Sequence, residues 1–201
     1  MAGDHYFTAE PTGPAVRRRV EVELAGRRLS VEVAGGVFSP GRVDTGTQVL
    51  LREAPDPPAT GTFLDLGCGW GPVALTLGLV SPEATVYAVD VNERALELTR
   101  ANAAAAGTHR VVAVSPDEVP GEVRFDLVWS NPPIRVGKAE LHALLAHWLQ
   151  RLAPGGTAYL VVQKNLGADS LQRWIGDELG MPCARHAVAK GFRVLRVSPA
   201  A

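Results

Sequence analysis

Cysteine is nearly absent from this chain: two residues, Cys68 and Cys183, stand among 201. They lie far apart and form no metal-ligand spacing, which excludes a disulfide scaffold and a cysteine-built zinc site and fits a reducing cytosol. No metal is therefore expected. Net charge is also lacking. The balance of −1 gives no global electrostatic argument for nucleic acid, so any such contact must rest on a local patch. Long apolar runs are missing, and the longest is far too short to span a bilayer. The start, Met1 to Tyr6, shows no basic region leading into an apolar core, so no signal peptide is expected. Internal repeats and low-complexity tracts are absent as well.

What remains is the composition of an ordinary globular chain. Hydrophobic residues make up 46% and charged residues 20%, enough apolar material for one core at this length. Two regions are expected, 1–58 and 59–201. In the first, Val20, Val22 and Leu24 alternate with charged residues, as do Leu29, Val31 and Val33, around the turn signal Ala25-Gly26-Arg27; this predicts a β-hairpin. Asp44-Thr45-Gly46-Thr47 is placed to open a short helix carrying Val49 to Leu51, and Ala54–Pro58 reads as a linker.

From Gly61 onward strands and helices alternate. Strands are predicted at 62–66, 85–89, 111–114, 125–129 and 158–162, and helices at 72–80, 93–106 (capped by Asn92), 141–152 and 171–179. Residues 184–197, with Gly191 between two β-like runs, read as a closing hairpin. The expected fold is α/β: a doubly wound, Rossmann-like, mostly parallel seven-stranded sheet with an antiparallel edge hairpin and a small N-terminal β-hairpin extension.

Three loops in that pattern carry chemistry. The most informative is Asn131-Pro132-Pro133, which ends the apolar run from Leu127. Neither proline has an N–H to donate, and each restricts the residue before it towards extended backbone. The stiff corner can aim the Asn131 side-chain oxygen and the Pro132 carbonyl into a cleft. Two acceptors on a rigid corner suit an NH₂ group, which offers two donors. A simple loop breaker is the competing reading.

The second loop, Asp65 to Gly71, joins a strand to a helix, and Gly67, Cys68, Gly69 and Gly71 are candidate cofactor contacts. Glycines permit the tight turn and the approach of backbone to a ligand. A carboxylate two residues before the first glycine opposes a pyrophosphate but suits the ammonium or sulfonium of S-adenosylmethionine. The spacing is also Gly-x-Gly-x-Gly, which disfavours a nicotinamide cofactor. The third loop holds Asp90 and Val91 at the next strand end. There an acid can accept from both ribose hydroxyls, a turn or cap role being the alternative. In an open parallel sheet all three loops meet where strand order reverses. Asn131 then borders both the amine and the cofactor.

These residues resemble the class I S-adenosylmethionine-dependent methyltransferases. Asn131–Lys138, Asn-Pro-Pro-Ile-Arg-Val-Gly-Lys, is similar within them to the small-subunit rRNA guanine-N2 methyltransferase C family, in its stand-alone, single-domain form. The likeness extends to Gly36–Ser39, Asp44–Thr47, Gln163-Lys164, Gly167-Ala168 and Lys190–Leu195. It implies a cytoplasmic enzyme that methylates guanine N2 with S-adenosylmethionine as cofactor and RNA, naked or in a ribosomal subunit, as partner. It also implies that Asp44 and Thr47 close over the cofactor, with helix capping the alternative for Asp44. Many amine methyltransferases place an aromatic after the second proline, whereas here stands Ile134; Phe38 or Trp129 could compensate. Arg135 and Lys138 are candidate phosphate contacts or plain solvated charges. Asp117 is either an adenine contact or a loop acid. Arg17–Arg19 with Arg27-Arg28 form a basic patch or a solvated face, and His142 and His147 are expected to be structural. A protein glutamine or adenine N6 methyltransferase shares the same NH₂ chemistry. A non-catalytic RNA-binding or ribosome-assembly module is the remaining alternative.

Overall fold

Five-residue strands that are apolar on both faces belong in the middle of a parallel sheet, and Thr62–Leu66 is one: Phe63, Leu64, Asp65 and Leu66 are all buried. A computed structural model of the chain, describing residues 16–199, places this strand at the centre. In chain order the elements are β1 (Arg17–Leu24), β2 (Arg27–Ala34), α1 (Thr45–Glu53), β3 (Thr62–Leu66), α2 (Pro72–Val80), β4 (Thr85–Val89), α3 (Glu93–Ala106) and β5 (Val111–Val114). They continue with β6 (Phe125–Ser130), α4 (Lys138–Leu149), β7 (Leu152–Gln163), α5 (Ala168–Leu179), β8 (Cys183–Ala189) and β9 (Phe192–Val197).

The seven-stranded sheet runs β5-β4-β3-β6-β7-β9-β8. All pairs are parallel except the two made by β9, with β7 and with β8. From β3 the chain winds outward through β4 and β5, then returns to β6 on the other side. The β3/β6 seam is therefore the switch point where ligands bind in such sheets. One apolar layer lies between the sheet and α4 with α5, and a second lies under α1, α2 and α3. A third cluster seats the β1–β2 hairpin on α2 and α3 through Val22, Leu24, Val31 and Val33. Ala25 and Gly26 both adopt positive φ, 49° and 70°, the two-residue turn whose twist suits a hairpin.

Three expected elements differ by more than one residue at an end. The helix predicted at 141–152 starts at Lys138 and stops at Leu149. Gly137, at φ 110°, precedes it, and Leu152 is drawn into the sheet opposite Phe125. The strand predicted at 158–162 extends back to Leu152, with an irregularity in its pairing to β6. A Cβ on Gly156 would lie 2.6 Å from the Phe125 carbonyl, so that close crossing needs glycine. The helix predicted at 171–179 begins at Ala168, just after Gly167 turns the backbone at φ 99°.

Candidate active site

The strand ends β3, β4, β6 and β7 border one cleft of about 490 Å³, within the size range of small-molecule sites. Gly67, Gly69, Asp90, Val91, Asn131, Pro132, Pro133 and Ile134 line it. Val37 to Pro40 and Asp44 contribute from the N-terminal side. A small adjoining recess is bordered by Asp65, Cys68, Thr47 and, again, Asp44 and Asn131. The three chemistry-bearing loops thus share one space.

The glycine loop is held by its neighbours and open towards the cleft. Gly67 and Cys68 both donate to the Val89 carbonyl, at 2.8 and 3.1 Å, which pins the loop to the end of β4. Gly67 has φ 79°, and a Cβ there would meet nothing within 4 Å, so its backbone faces open space. Gly71, also at positive φ, lies outside the cleft wall as the cap of α2, packed against Thr99.

Asp65 is 1% exposed and accepts from the Ala74 N–H at 2.9 Å. Burial pushes its carboxyl up to about 8, the backbone hydrogen bond opposes this, and the nearby Asp90 charge adds to it. A buried acid in this state gains from a cationic neighbour. Asp90 is fixed by both oxygens, one taking the Gly69 N–H and the other the Asn92 N–H, each at 3.0 Å. Burial raises its pKa too. A carboxylate offers about four acceptor positions, so Asp90 retains capacity for a ligand hydroxyl. An open backbone cradle, a buried acid for a positive centre and an anchored acid for a diol together fit S-adenosylmethionine. Cys68 is buried beneath the loop with its thiol pushed up by burial, so it is no nucleophile.

Asn131 follows β6 directly, and Ser130 before it donates to the Leu66 carbonyl at 2.7 Å, tying this corner to the end of β3. The Asn131 NH₂ donates to Asp44 Oδ2 at 3.0 Å and to Thr47 Oγ1 at 3.1 Å. Asp44 is an acceptor when ionised, so the amide must present its nitrogen there and its oxygen elsewhere. Asp44 Oδ2 also caps α1, taking the Gly46 and Thr47 N–H groups at 2.8 and 3.4 Å. The capping alternative for Asp44 is therefore realised, together with a second task that the sequence did not reveal. Pro132 contributes a carbonyl that accepts the Ile134 N–H at 2.9 Å across Pro133 (φ −74°, ψ 79°), an inverse γ-turn. Its other lone pair remains.

Other expected residues are placed less centrally. Asp117 is exposed and does not line the cleft; Pro116 occupies the wall there. Lys138 is exposed at the start of α4, and the Arg135 side chain lies outside the described residues. Phe38, partly exposed, lines the cleft, whereas Trp129 is 2% exposed in the core under α1 and does not. His142 stacks on Trp174 with centroids 3.7 Å apart, and His147 packs edge-on against Trp148, both away from the cleft wall. Arg17 and Arg19 of the hairpin pair with Glu32, and Arg17 also with Glu97, which neutralises part of that basic run. Phe192 and Gln163 line the cleft without having been singled out individually in the sequence.

Gly46 provides a test of this packing. A Cβ there would stand 3.0 Å from Asp44 Oδ2, 3.1 Å from the Phe192 ring and 3.2 Å from Asn131 Nδ2. Its backbone is helical, and alanine is the better helix former, so Gly46→Ala carries no conformational penalty. The variant is expected to melt within a few degrees of the parent, on the order of ±1 kcal/mol in stability, yet lose roughly tenfold or more in turnover as the Asn131 amide shifts. Paired thermal melts and initial rates check this; unchanged turnover would show that the amide has slack.

The comparisons with known proteins agree with this geometry. The methyltransferase small domain family matches residues 28–196. The protein YbxB of Bacillus subtilis is 33% identical over 170 residues, covering 83% of this chain and 85% of its own length. The ribosomal RNA small subunit methyltransferase C of Pseudomonas entomophila is 34% identical over 201 residues, 97% of this chain and 58% of that protein. Among solved structures, the Thermus thermophilus 16S rRNA N2 G1207 methyltransferase, in complex with AdoMet and guanosine, superimposes with a TM-score of 0.78 at 26% identity. That match covers 93% of this chain and 52% of the other. The chain spans about half the length of the methyltransferase C relatives it matches. With the fold, the cofactor cradle and these matches in agreement, the chain belongs to the methyltransferase small domain family of S-adenosylmethionine-dependent methyltransferases.

Proposed function

We propose that this chain transfers the methyl group of S-adenosylmethionine to the exocyclic N2 amine of guanine in small-subunit ribosomal RNA. One observation carries the amine assignment. Asn131 Nδ2 donates to both Asp44 and Thr47, which leaves Oδ1 as the amide's acceptor, and Asn131 and Pro132 both line the cleft that Gly67 and Asp90 share. In this reading residues 59–201 form the catalytic domain and residues 1–58 the β-hairpin and the cofactor-covering segment, with 1–15 and 200–201 outside the described residues.

The bound cofactor supplies an electrophilic methyl on a sulfonium. Asp65 would face its positive end, Asp90 would accept from the ribose hydroxyls, and Val91 would border the adenosine. The guanine amine is a poor nucleophile because its lone pair is delocalised into the ring. Accepting its two N–H bonds at Asn131 Oδ1 and the Pro132 carbonyl favours a pyramidal nitrogen and holds it in place, an interaction strongest in the transition state. No base is needed before attack, since the amine sheds its proton after methylation.

The RNA assignment is supported by the names of the methyltransferase C relatives and by the guanosine in the Thermus complex. Arg135 and Lys138 are the phosphate contacts in this reading, and the cytoplasm is its setting. Mass spectrometry of rRNA nucleosides from a deletion strain tests it. N2-methylguanosine is expected to fall in small-subunit rRNA and to return when the gene is restored. An unchanged level, or a loss of N6-methyladenosine instead, would overturn the guanine assignment.

A further inference from the structure

The proposed amine clamp holds a nitrogen, yet it says nothing about which base bears it. The residues around it do. Gln163 ends β7 and is the register partner of Phe192 at the start of β9. Directly paired residues of antiparallel strands project to the same face with neighbouring Cβ atoms. Both line the cleft. The Phe192 ring and Asn131 Nδ2 approach the same point over Gly46, at 3.1 and 3.2 Å, so the ring stands beside the clamp.

Phe192 packs against the apolar layer under α1, whereas Ile134 and Leu144 pack against the opposite layer, under α4. The cleft above the ends of β6 and β7 is thus aromatic on one side and aliphatic on the other. The Gln163 side chain is exposed at the end of that strand pair. A planar base fits a slot of this kind. Its π-face takes the ring, and the glutamine amide offers one acceptor and two donors to an edge.

We infer that Phe192 and Gln163 are the base-reading pair of this cleft: Phe192 stacks on the purine, and the Gln163 amide pairs with guanine N1–H and O6 beside the clamped N2. This rests on the guanine reading above and deepens it. The missing aromatic after the second proline is then replaced from the other side of the sheet, by a residue 58 positions later in the chain than Ile134. The pairing also gives a reason for discrimination. Next to its amine, guanine presents a ring donor followed by a carbonyl acceptor, which an amide can match with two hydrogen bonds. Adenine lacks that donor.

Binding of two nucleosides to the full chain, in the presence of the demethylated cofactor, tests this. Guanosine carries the N2 amine, N1–H and O6. The fluorescent 2-aminopurine riboside keeps the amine and loses the other two groups. The parent is expected to bind guanosine about tenfold more tightly, the worth of one or two hydrogen bonds, and to quench 2-aminopurine fluorescence on stacking. Gln163→Leu should erase the preference by weakening guanosine more than 2-aminopurine riboside. Phe192→Leu should weaken both nucleosides roughly tenfold and abolish the quenching. Stabilisation of each variant by S-adenosylmethionine in a thermal melt verifies an intact fold. Parent-like preference in Gln163→Leu, or parent-like quenching in Phe192→Leu, overturns the corresponding role. If the parent itself prefers neither nucleoside, the guanine reading falls with it. If the parent prefers guanosine and neither variant changes anything, only the base-reading pair falls.

Discussion

Replacing Asn131 with alanine is expected to lower methyl transfer by about 10²- to 10³-fold while leaving S-adenosylmethionine binding within a few-fold of the parent. The size follows from what the side chain does in the proposed reaction. Its oxygen accepts a hydrogen bond that strengthens as the amine nitrogen turns pyramidal, so its removal is felt in the transition state and barely in the ground state. The fold should survive, because Asp44 keeps its two backbone partners at the start of α1 and Ser130 still ties β6 to β3. Asn131→Asp is a sharper companion. It retains an acceptor oxygen but places a second carboxylate where Nδ2 now lies 3.0 Å from Asp44. Repulsion there should turn the group out of register or protonate it, so this variant should also be slow. Steady-state rates on rRNA or ribosomal subunits, with cofactor affinity measured separately, decide the matter. An alanine variant with near-normal turnover would remove Asn131 from the clamp.

That Asp44 and Thr47 hold the Asn131 amide marks the limit of what is legible in the sequence. The central elements β3, α2, β4 and α3 fall where residue patterns alone place them, because each boundary is written locally. Pro72 opens α2, the Asn92 side chain caps Arg94 N–H at the start of α3, and Gly107 closes α3 at φ 72°. The Asn-Pro-Pro corner and the glycine loop were readable for the same reason. The contact from Asn131 to Asp44 spans 87 positions, and that to Thr47 spans 84. Such contacts exist only after the sheet has formed and α1 has packed across it. Asp44 therefore showed its local role, a helix cap, and hid its distant one. Phe192 falls within the Lys190–Leu195 likeness, but its place at the cleft emerges only when β9 inserts beside β7. The boundaries of α4 and β7 are not written locally: Leu152 satisfies a helical apolar pattern equally well, and only its pairing with Phe125 draws it into the sheet.

Asp65 carries the other large expected effect, and it has two opposite parts. In the folded chain burial holds its carboxyl protonated up to about pH 8, against an ordinary value of 3.8. Between those limits the folded state binds more protons than the unfolded one, so this group's contribution to stability is full below pH 3.8 and is lost as pH rises through 8. The side-chain amide introduced by Asp65→Asn has no proton to lose and can still accept the Ala74 N–H. The variant is therefore expected to melt at least about 2–4 °C above the parent at pH 8, without ligand, with the gap closing as pH falls towards 4. Cofactor affinity should move the other way, falling roughly 10- to 100-fold at pH 8, because the ionised acid facing a positive centre is gone. In the parent, S-adenosylmethionine should bind more tightly as pH rises towards 8, by up to about tenfold per unit, as the acid becomes easier to ionise; in the variant this dependence on Asp65 should vanish. Calorimetric melts with and without cofactor across pH 5–9 measure both parts in one series. A variant that is less stable at pH 8 than the parent would contradict the burial cost, and one that binds cofactor equally well would take Asp65 out of the cofactor site. Gain of stability together with loss of binding is the result that identifies a buried acid kept for its ligand, since a purely structural aspartate at that strand end would lose both.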